Sequence, residues 1–184
     1  MNTYDAIHSR RSIRSFKSDP IDESVIERIM DAAIMAPSAL NSQNWKFYVL
    51  TGESRDKFAK LLVPVFERMK DKILQQYGPE AVEVRRKLYT NAGGAPVVIV
   101  CYVEKGDWDW DLTGPAMACQ NILIAAQSEG LGSLFIGSPK YEKESINKLL
   151  DEDDNLLMGA ILLGYTDENP ALKPRKDGVI IRLK

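Results

Sequence analysis

Apolar residues recur along this chain with two different periods, and the alternation between them sets out its elements. Val25, Ile26, Ile29, Met30, Ala33 and Ile34 repeat at helical spacing, after Asp22 as a candidate N-cap and before Pro37, which ends the pattern. A short helix is expected over 3–9 and a strand over 45–50. Helices follow over 53–62 and, beginning at Pro64, over 64–76. Gly78-Pro79 breaks the chain before a charge-rich helical piece at 80–89. The run 96–103 is continuously apolar and β-branched, as a strand buried on both faces would be. Further strands are expected over 131–136 and 156–163, a helix over 141–150, and an extended arm over 178–183.

The segment 112–129 is a long helix of a different kind. Ala116, Met117, Ala118, Cys119, Ile122, Leu123, Ile124, Ala125 and Ala126 leave it almost no polar face. Such a helix must be covered on nearly all sides, and a subunit interface would do that. Gly130 stands where a helix C-terminus wants it. The interleaving of helices and strands predicts an α/β or α+β fold around a central sheet. With no internal repeat and no Gly-, Ser- or Pro-rich linker, 1–184 reads as one domain.

Composition narrows the function classes. The 184 residues are 45% hydrophobic and 27% charged, which suits a folded domain with a sizeable core. A net charge of −2 supplies no global field for nucleic acid or an anionic membrane. The basic groups at 10–17 and 173–176 are therefore local features. Apolar runs such as 95–103 are too short to span a bilayer, and Met1-Asn2-Thr3-Tyr4-Asp5 lacks a leader's apolar core. A soluble, cytoplasmic protein is expected. Cys101 and Cys119 sit in apolar runs without CxxC spacing and read as buried and inert. With His8 as the single histidine, metal ligation has little support.

Candidate chemistry gathers in four places. Arg10, Arg11 and Arg14 lie within five residues, with Ser12 between them. Guanidinium groups bond phosphate in pairs and a hydroxyl adds a donor; alone, the cluster is also an ordinary solvated turn. Lys173-Pro174-Arg175-Lys176 alone is a surface tail, but convergence of both clusters on one anion would change that balance. Pro37, Ser38, Ala39, Asn41 and Gln43 form a small polar exit from a helix; its donors and acceptors match a flavin's pyrimidine edge or ribityl hydroxyls, and a helix-capping loop reads equally well. Ile136 and Gly137 end a buried strand, where a bare glycine amide could meet flavin N5 or form a plain turn. Trp108 and Trp110 could line a substrate mouth or pack in a core. Neither GxGxxG nor GxxxxGK[ST] occurs. No Ser-His-Asp set and no catalytic carboxylate pair is supported by spacing. An anion site, polar donors and a bare backbone edge beside an apolar wall suit a phosphorylated planar cofactor, and flavin mononucleotide (FMN) fits best.

The order of motifs adds a resemblance. RRSIRSF at 10–16, APSALNSQNWKF at 36–47, Gln120-Asn121-Ile122-Leu123 in the long helix and GLGSLFIG at 130–137 resemble the nitroreductase family of FMN enzymes over nearly the whole chain. The resemblance implies an α+β sandwich, with a central, mostly antiparallel sheet flanked by helices. It also implies an intertwined homodimer with FMN at the subunit interface and the C-terminal arm on the partner. Arg10, Arg11 and Ser12 would hold the phosphate and ribityl chain, joined by Arg175 and Lys176. Arg14 would face the flavin N1–O2 edge. Pro37, Ser38, Ala39 and Asn41 would reach the cofactor from the other subunit, and Gln43 would also contact it. Ile136 and Gly137 would line the ring near N5. No side chain need be catalytic, because NADH or NADPH would reduce the flavin and a nitroaromatic or quinone-like small-molecule acceptor would reoxidise it, in ping-pong order. Two departures stand out. Gln43-Asn44-Trp45 replaces the commoner Gln-Pro-Trp, and the excursion before the long helix is short, leaving 104–109 or 64–89 to cover the flavin. Three competing readings remain: the same fold and FMN with dehalogenating, oxidative or flavin-fragmenting chemistry; a flavin- or phosphate-binding protein without catalysis; and a dimeric protein without flavin.

Overall fold

The computed structural model describes residues 1–106 and 111–183. Trp108 and Trp110 lie outside them. In chain order, α1 is Thr3–Ser9, α2 Glu23–Ile34, β1 Trp45–Leu50, α3 Gly52–Thr90, β2 Val97–Val103, α4 Thr113–Ser128, β3 Gly132–Ile136, α5 Lys143–Leu150 and β4 Leu156–Gly164. The four strands form one sheet in the order β1-β2-β4-β3, and every neighbouring pair is antiparallel.

Connections explain that topology. Two antiparallel neighbours need a link that leaves and returns at the same end of the sheet. The 39-residue α3 supplies it by breaking at Gly78, whose φ of 80° and ψ of 177° are not helical. In a straight helix Phe66 and Tyr89 would lie about 34 Å apart. Their rings stack with centroids 6.3 Å apart, so the chain doubles back as a helical hairpin. Arg55 staples its open end: Nη1 donates to Asn91 Oδ1 at 2.5 Å and Nη2 to the Asn91 carbonyl at 2.6 Å. Nε reaches the Ala95 carbonyl at 2.7 Å, tying the hairpin to the approach of β2. A single helix crosses the sheet instead of returning, and α4 accordingly joins β2 to β3, which run parallel with β4 between them.

Pro64 does not divide α3, contrary to the expectation of two helices there. A proline inside a helix removes one hydrogen bond and crowds the preceding turn. Phe58, Leu62, Val65 and Phe66 are buried on both sides of it, and that packing holds the helix together. The Gly78 break falls where expected.

Two cores cover the two faces of the sheet. Val98, Val100 and Tyr102 of β2 meet α3 and α5 on one side. Val97, Ile99 and Cys101 meet α2 and α4 on the other. All of β2 is buried, as its apolar run predicts. Cys101 and Cys119 are free thiols within the second core, and burial pushes the Cys101 thiol well up, with Cys119 beside it adding to the shift. Within this chain α4 buries only part of its apolar surface. Ala118, Cys119, Ile122 and Ala126 are inside, whereas Met117 is 41% exposed. The tail over 179–183 has no regular structure, and Val179, Ile180, Ile181 and Leu183 are exposed. Asp22 caps α2 through its backbone carbonyl, which accepts from Val25 and Ile26; its side chain makes no cap bond. Among the described residues no helix is long and apolar enough to cross a membrane, and no cluster of potential metal ligands occurs.

Candidate functional site

The arginine segment leaves α1 and runs along the edge of the sheet. The Arg10 amide closes the helix on the Ala6 carbonyl at 3.0 Å. Ser12 then bridges in parallel to Ser133 of β3, and the Ile13 amide donates to the Ser133 carbonyl at 3.1 Å. Side chains anchor the segment from within, with Ile13 and Phe16 buried, so Arg11, Ser12 and Arg14 are left half-buried along its course. Gly93 and Gly94 form its bed. A Cβ on Gly93 would sit 2.5 Å from the Arg14 carbonyl oxygen, and one on Gly94 2.7 Å from that of Phe16. Both have positive φ, at 63° and 86°, so these two positions need glycine for conformation and for space.

The two basic segments are linked through charge. Burial, then the charge of Arg11, then that of Arg175, hold the Arg10 guanidinium below its ordinary range. Arg175 therefore lies near enough to Arg10 within one chain for the two charges to act on each other. Among the described residues, no ion pair includes Arg10, Arg11, Arg14, Arg175 or Lys176. Their recorded hydrogen bonds go to nearby carbonyls: Arg11 Nη1 to His8 and Arg10 at 2.8 and 2.9 Å, Arg14 Nη1 to Ser12 at 3.1 Å, and Arg175 Nη1 to Lys173 at 3.0 Å. Like charges gathered without a counter-ion are unfavourable by themselves, and a phosphate would resolve the conflict.

Beside this cluster, β3 ends at buried Ile136 and half-buried Gly137. Among the described residues, a Cβ on Gly137 would meet only the Phe135 ring, at 3.8 Å, so this side of the strand end is uncrowded by them. The adjoining strand is bare for a reason: a Cβ on Gly159 of β4 would overlap the Ile136 carbonyl oxygen and lie 3.2 Å from Gly137 Cα. After Gly137 the chain turns through Ser138–Glu142, anchored by a 2.5 Å hydrogen bond between the Ser138 and Tyr89 hydroxyls. The Ser133 hydroxyl is buried and, among the described residues, has no hydrogen-bond partner.

Pro37, Ser38, Ala39, Asn41 and Gln43 form a separate group. The Asn41 amide donates to the Ser38 carbonyl at 3.1 Å, and the Gln43 amide to Ser38 Oγ at 2.8 Å. Leu40, Asn41 and Gln43 all have positive φ, from 48° to 57°. Asparagine tolerates that region; leucine and glutamine are strained in it, and such strain concentrates at functional sites. The turn docks against α4, where a Cβ on Gly114 would lie 2.9 Å from Ser38 Cβ. No recorded hydrogen bond among the described residues joins it to the arginine segment.

Three contributors have no clear chemical signal in the sequence. Asn44, in place of the commoner proline, is buried; its Nδ2 donates to the Asp111 carbonyl at 2.8 Å, and its own carbonyl accepts from Glu104 at 3.0 Å. Gly93 and Gly159 make close approaches possible. An isolated glycine inside an apolar strand is a known mark of such an approach, so Gly159 was open to detection. A cavity of about 920 Å³ lies elsewhere, between α2 and the open end of the α3 hairpin, with Ile21, Ile26, Thr51, Arg55 and Asn91 in its walls. Arg11 lines a smaller cavity of about 180 Å³ with Ile13, Gly132, Thr166 and Glu168.

Comparison with known proteins decides the family. The Nitroreductase family profile matches residues 7–165. The chain belongs to the nitroreductase family. A protein of Methanothermobacter thermautotrophicus with the provisional name NADH dehydrogenase/NAD(P)H nitroreductase is 31% identical over 195 residues, covering 100% of this chain and 87% of its own. The iodotyrosine deiodinase of Thermotoga neapolitana is 24% identical over 187 residues, covering 97% and 96%. The crystal structure of the FMN- and NADPH-dependent nitroreductase NfnB from Sphigopyxis sp. strain HMH superposes with a TM-score of 0.84 over 100% of both chains, at 20% identity. The helix-flanked antiparallel sheet is therefore the nitroreductase fold.

Proposed function

We propose that this chain is an FMN-dependent oxidoreductase that uses NADH or NADPH to reduce small nitroaromatic or quinone-like acceptors, as a homodimer and in ping-pong order. The adjacent Arg10, Arg11 and Ser12 on the edge of the sheet, with Arg175 near enough to act on Arg10 and no ion pair to any of these arginines among the described residues, carry this reading. The residues present fit a phosphate-bearing flavin: a cation cluster, the adjacent Ser12 hydroxyl, and an uncovered glycine edge beside a buried apolar strand. Relatives bearing nitroreductase names, and an FMN- and NADPH-dependent nitroreductase of the same fold, support the same cofactors.

Arg10, Arg11, Ser12, Arg175 and Lys176 hold the phosphate and the first ribityl hydroxyls. Arg14 places a positive charge at the pyrimidine edge, where the reduced ring is anionic. Ile136 and Gly137 present a flat wall and an amide toward N5. Pro37, Ser38, Ala39, Asn41 and Gln43 act from the second subunit, consistent with their separation from the arginines within one chain. When bound, FMN supplies two-electron acceptance and donation at N5; the protein positions it and keeps one stacking site for donor and acceptor in turn. The uncovered apolar side of α4 and the exposed tail at 179–183 suit a second copy.

Anaerobic addition of NADH and of NADPH to the yellow protein tests the reading. Bleaching, followed by recovery of colour with a nitroaromatic or quinone and parallel double-reciprocal plots, is the expected result. The deiodinase relative favours one second reading, reductive dehalogenation in the same site. Flavin reduced by dithionite and reoxidised by a halotyrosine, with no turnover of NAD(P)H, would select it. A yellow protein inert to every reductant would be a binding protein.

A further inference from the structure

Residues 165–168, just past β4, run back along 14–17 in the opposite direction, and side chains make most of the contact. The Lys17 amide donates to the Tyr165 carbonyl at 2.8 Å. Thr166 Oγ1 donates to the Ser15 carbonyl at 2.8 Å and accepts the Glu168 amide at 2.9 Å. Asp167 pairs with Lys17 Nζ at 2.7 Å. Glu168 Oε2 accepts the Arg14 amide at 2.7 Å. Three consecutive side chains thus clip the arginine segment in place, and the chain continues from there to Arg175, whose charge acts on Arg10.

Glu168 differs from its two neighbours. It is half-buried, and its hydrogen-bond donor is a neutral peptide group. No ion pair among the described residues includes it, so no partner cation neutralises its charge. On the other side of the same residue, the Arg14 carbonyl is packed against Gly93. The peptide groups flanking Arg14 are therefore held from both directions, while the guanidinium has only the Ser12 carbonyl recorded as an acceptor. A carboxylate at this point does two things at once. It fixes the backbone from which the Arg14 side chain departs, and its negative potential weakens the positive field that Arg14 supplies.

We infer that Glu168 is a positioning residue for Arg14 that also sets how strongly the site favours reduced over oxidised flavin. This rests on the proposed FMN site with Arg14 at the N1–O2 edge. Glu168→Gln retains an oxygen acceptor for the Arg14 amide and removes the charge. Thr166→Val cuts the neighbouring clip and leaves the charge in place.

The test is the affinity of each protein for oxidised FMN, together with the midpoint potential of the bound flavin. In Glu168→Gln, oxidised FMN should bind within about threefold of the unaltered protein. The ratio of reduced to oxidised affinity should rise about tenfold, which is about 30 mV upward for a two-electron couple. Thr166→Val should weaken both redox states alike and leave the ratio unchanged, the behaviour expected of a purely structural contact. An unchanged potential in Glu168→Gln overturns the inference. So does loss of FMN from that variant in both states, since the charge itself would then be holding the site together. If the unaltered protein binds no FMN, the cofactor reading fails before Glu168 is in question.

Discussion

Arg55 and the Arg10–Arg11–Arg175 group show two opposite uses of the same side chain. Arg55 is 6% exposed, and all its donor nitrogens are engaged, by Ala95, Asn91 and Asp56. It closes the open end of the α3 hairpin. The other three are partly or fully exposed, Arg11 and Arg175 both act unfavourably on the charge of Arg10, and among the described residues the side chains of Arg11 and Arg175 bond to carbonyls close in sequence. A cation whose donors are satisfied by the fold is part of the fold. Cations that the fold brings together and leaves without a counter-charge are arranged for something outside it.

The strongest way to break this comparison is at Arg55. Arg55→Ala would leave the Ala95 carbonyl and both Asn91 acceptors without their donor, at about 3–4 kcal/mol of stability in chemical denaturation. A loss below about 1 kcal/mol would mean that the staple is not what joins the hairpin to the sheet.

Gly93→Ala comes next. It forces an alanine into φ 63° and drives its Cβ against the Arg14 carbonyl, so about 3 kcal/mol should be lost. FMN affinity should fall with it, because the bed of the arginine segment is displaced. Unchanged stability and affinity would show that the bed is soft.

Arg175→Ala should behave oppositely to Arg55→Ala. Stability should hold or rise slightly as repulsion on Arg10 is relieved, while FMN binding weakens about 10- to 100-fold, as expected for a charge-assisted phosphate contact. Destabilisation without loss of affinity would make Arg175 a structural residue like Arg55.

The smallest effect concerns pH. Burial alone would raise the Glu152 carboxyl, but hydrogen bonds from Lys46 Nζ at 2.7 Å and Tyr48 Oη at 2.6 Å outweigh it, and the net shift is downward. A depressed carboxyl contributes stability that is present above its unfolded value, near 4.3. That contribution is lost as pH falls through the lower folded value. Unfolding followed from pH 6 downward should therefore show a steeper acid loss in the unaltered protein than in Glu152→Gln, by about 1 kcal/mol. Parallel curves would mean that the pair is too solvated to matter.

Much of the fold was legible because its apolar runs are long and bounded by glycine and proline. All four strands fall within a residue or so of their expected limits. Antiparallel order was implied by the family resemblance, whereas its physical cause, the doubling back at Gly78, needed the Phe66–Tyr89 stacking to be seen. Pro64 misled because local breaking tendency yields to a buried face on either side of it. At the site, Arg10, Arg11 and Arg175 could be nominated from residue type alone. The approach of Arg175 to Arg10 joins distant parts of the chain, which no local pattern encodes. The covering of α4 and the company of the 38–43 turn belong to a second copy in the proposed assembly, and one chain cannot display them.

The claim that the partnerless arginines form a phosphate site is tested most directly by comparing the affinities of the apoprotein for FMN and for riboflavin, which differ only in that phosphate. The account predicts that FMN binds at least 100-fold tighter at low ionic strength, and that Arg10→Ala combined with Arg175→Ala removes most of the difference. Equal affinities for the two ligands in the unaltered protein would contradict it.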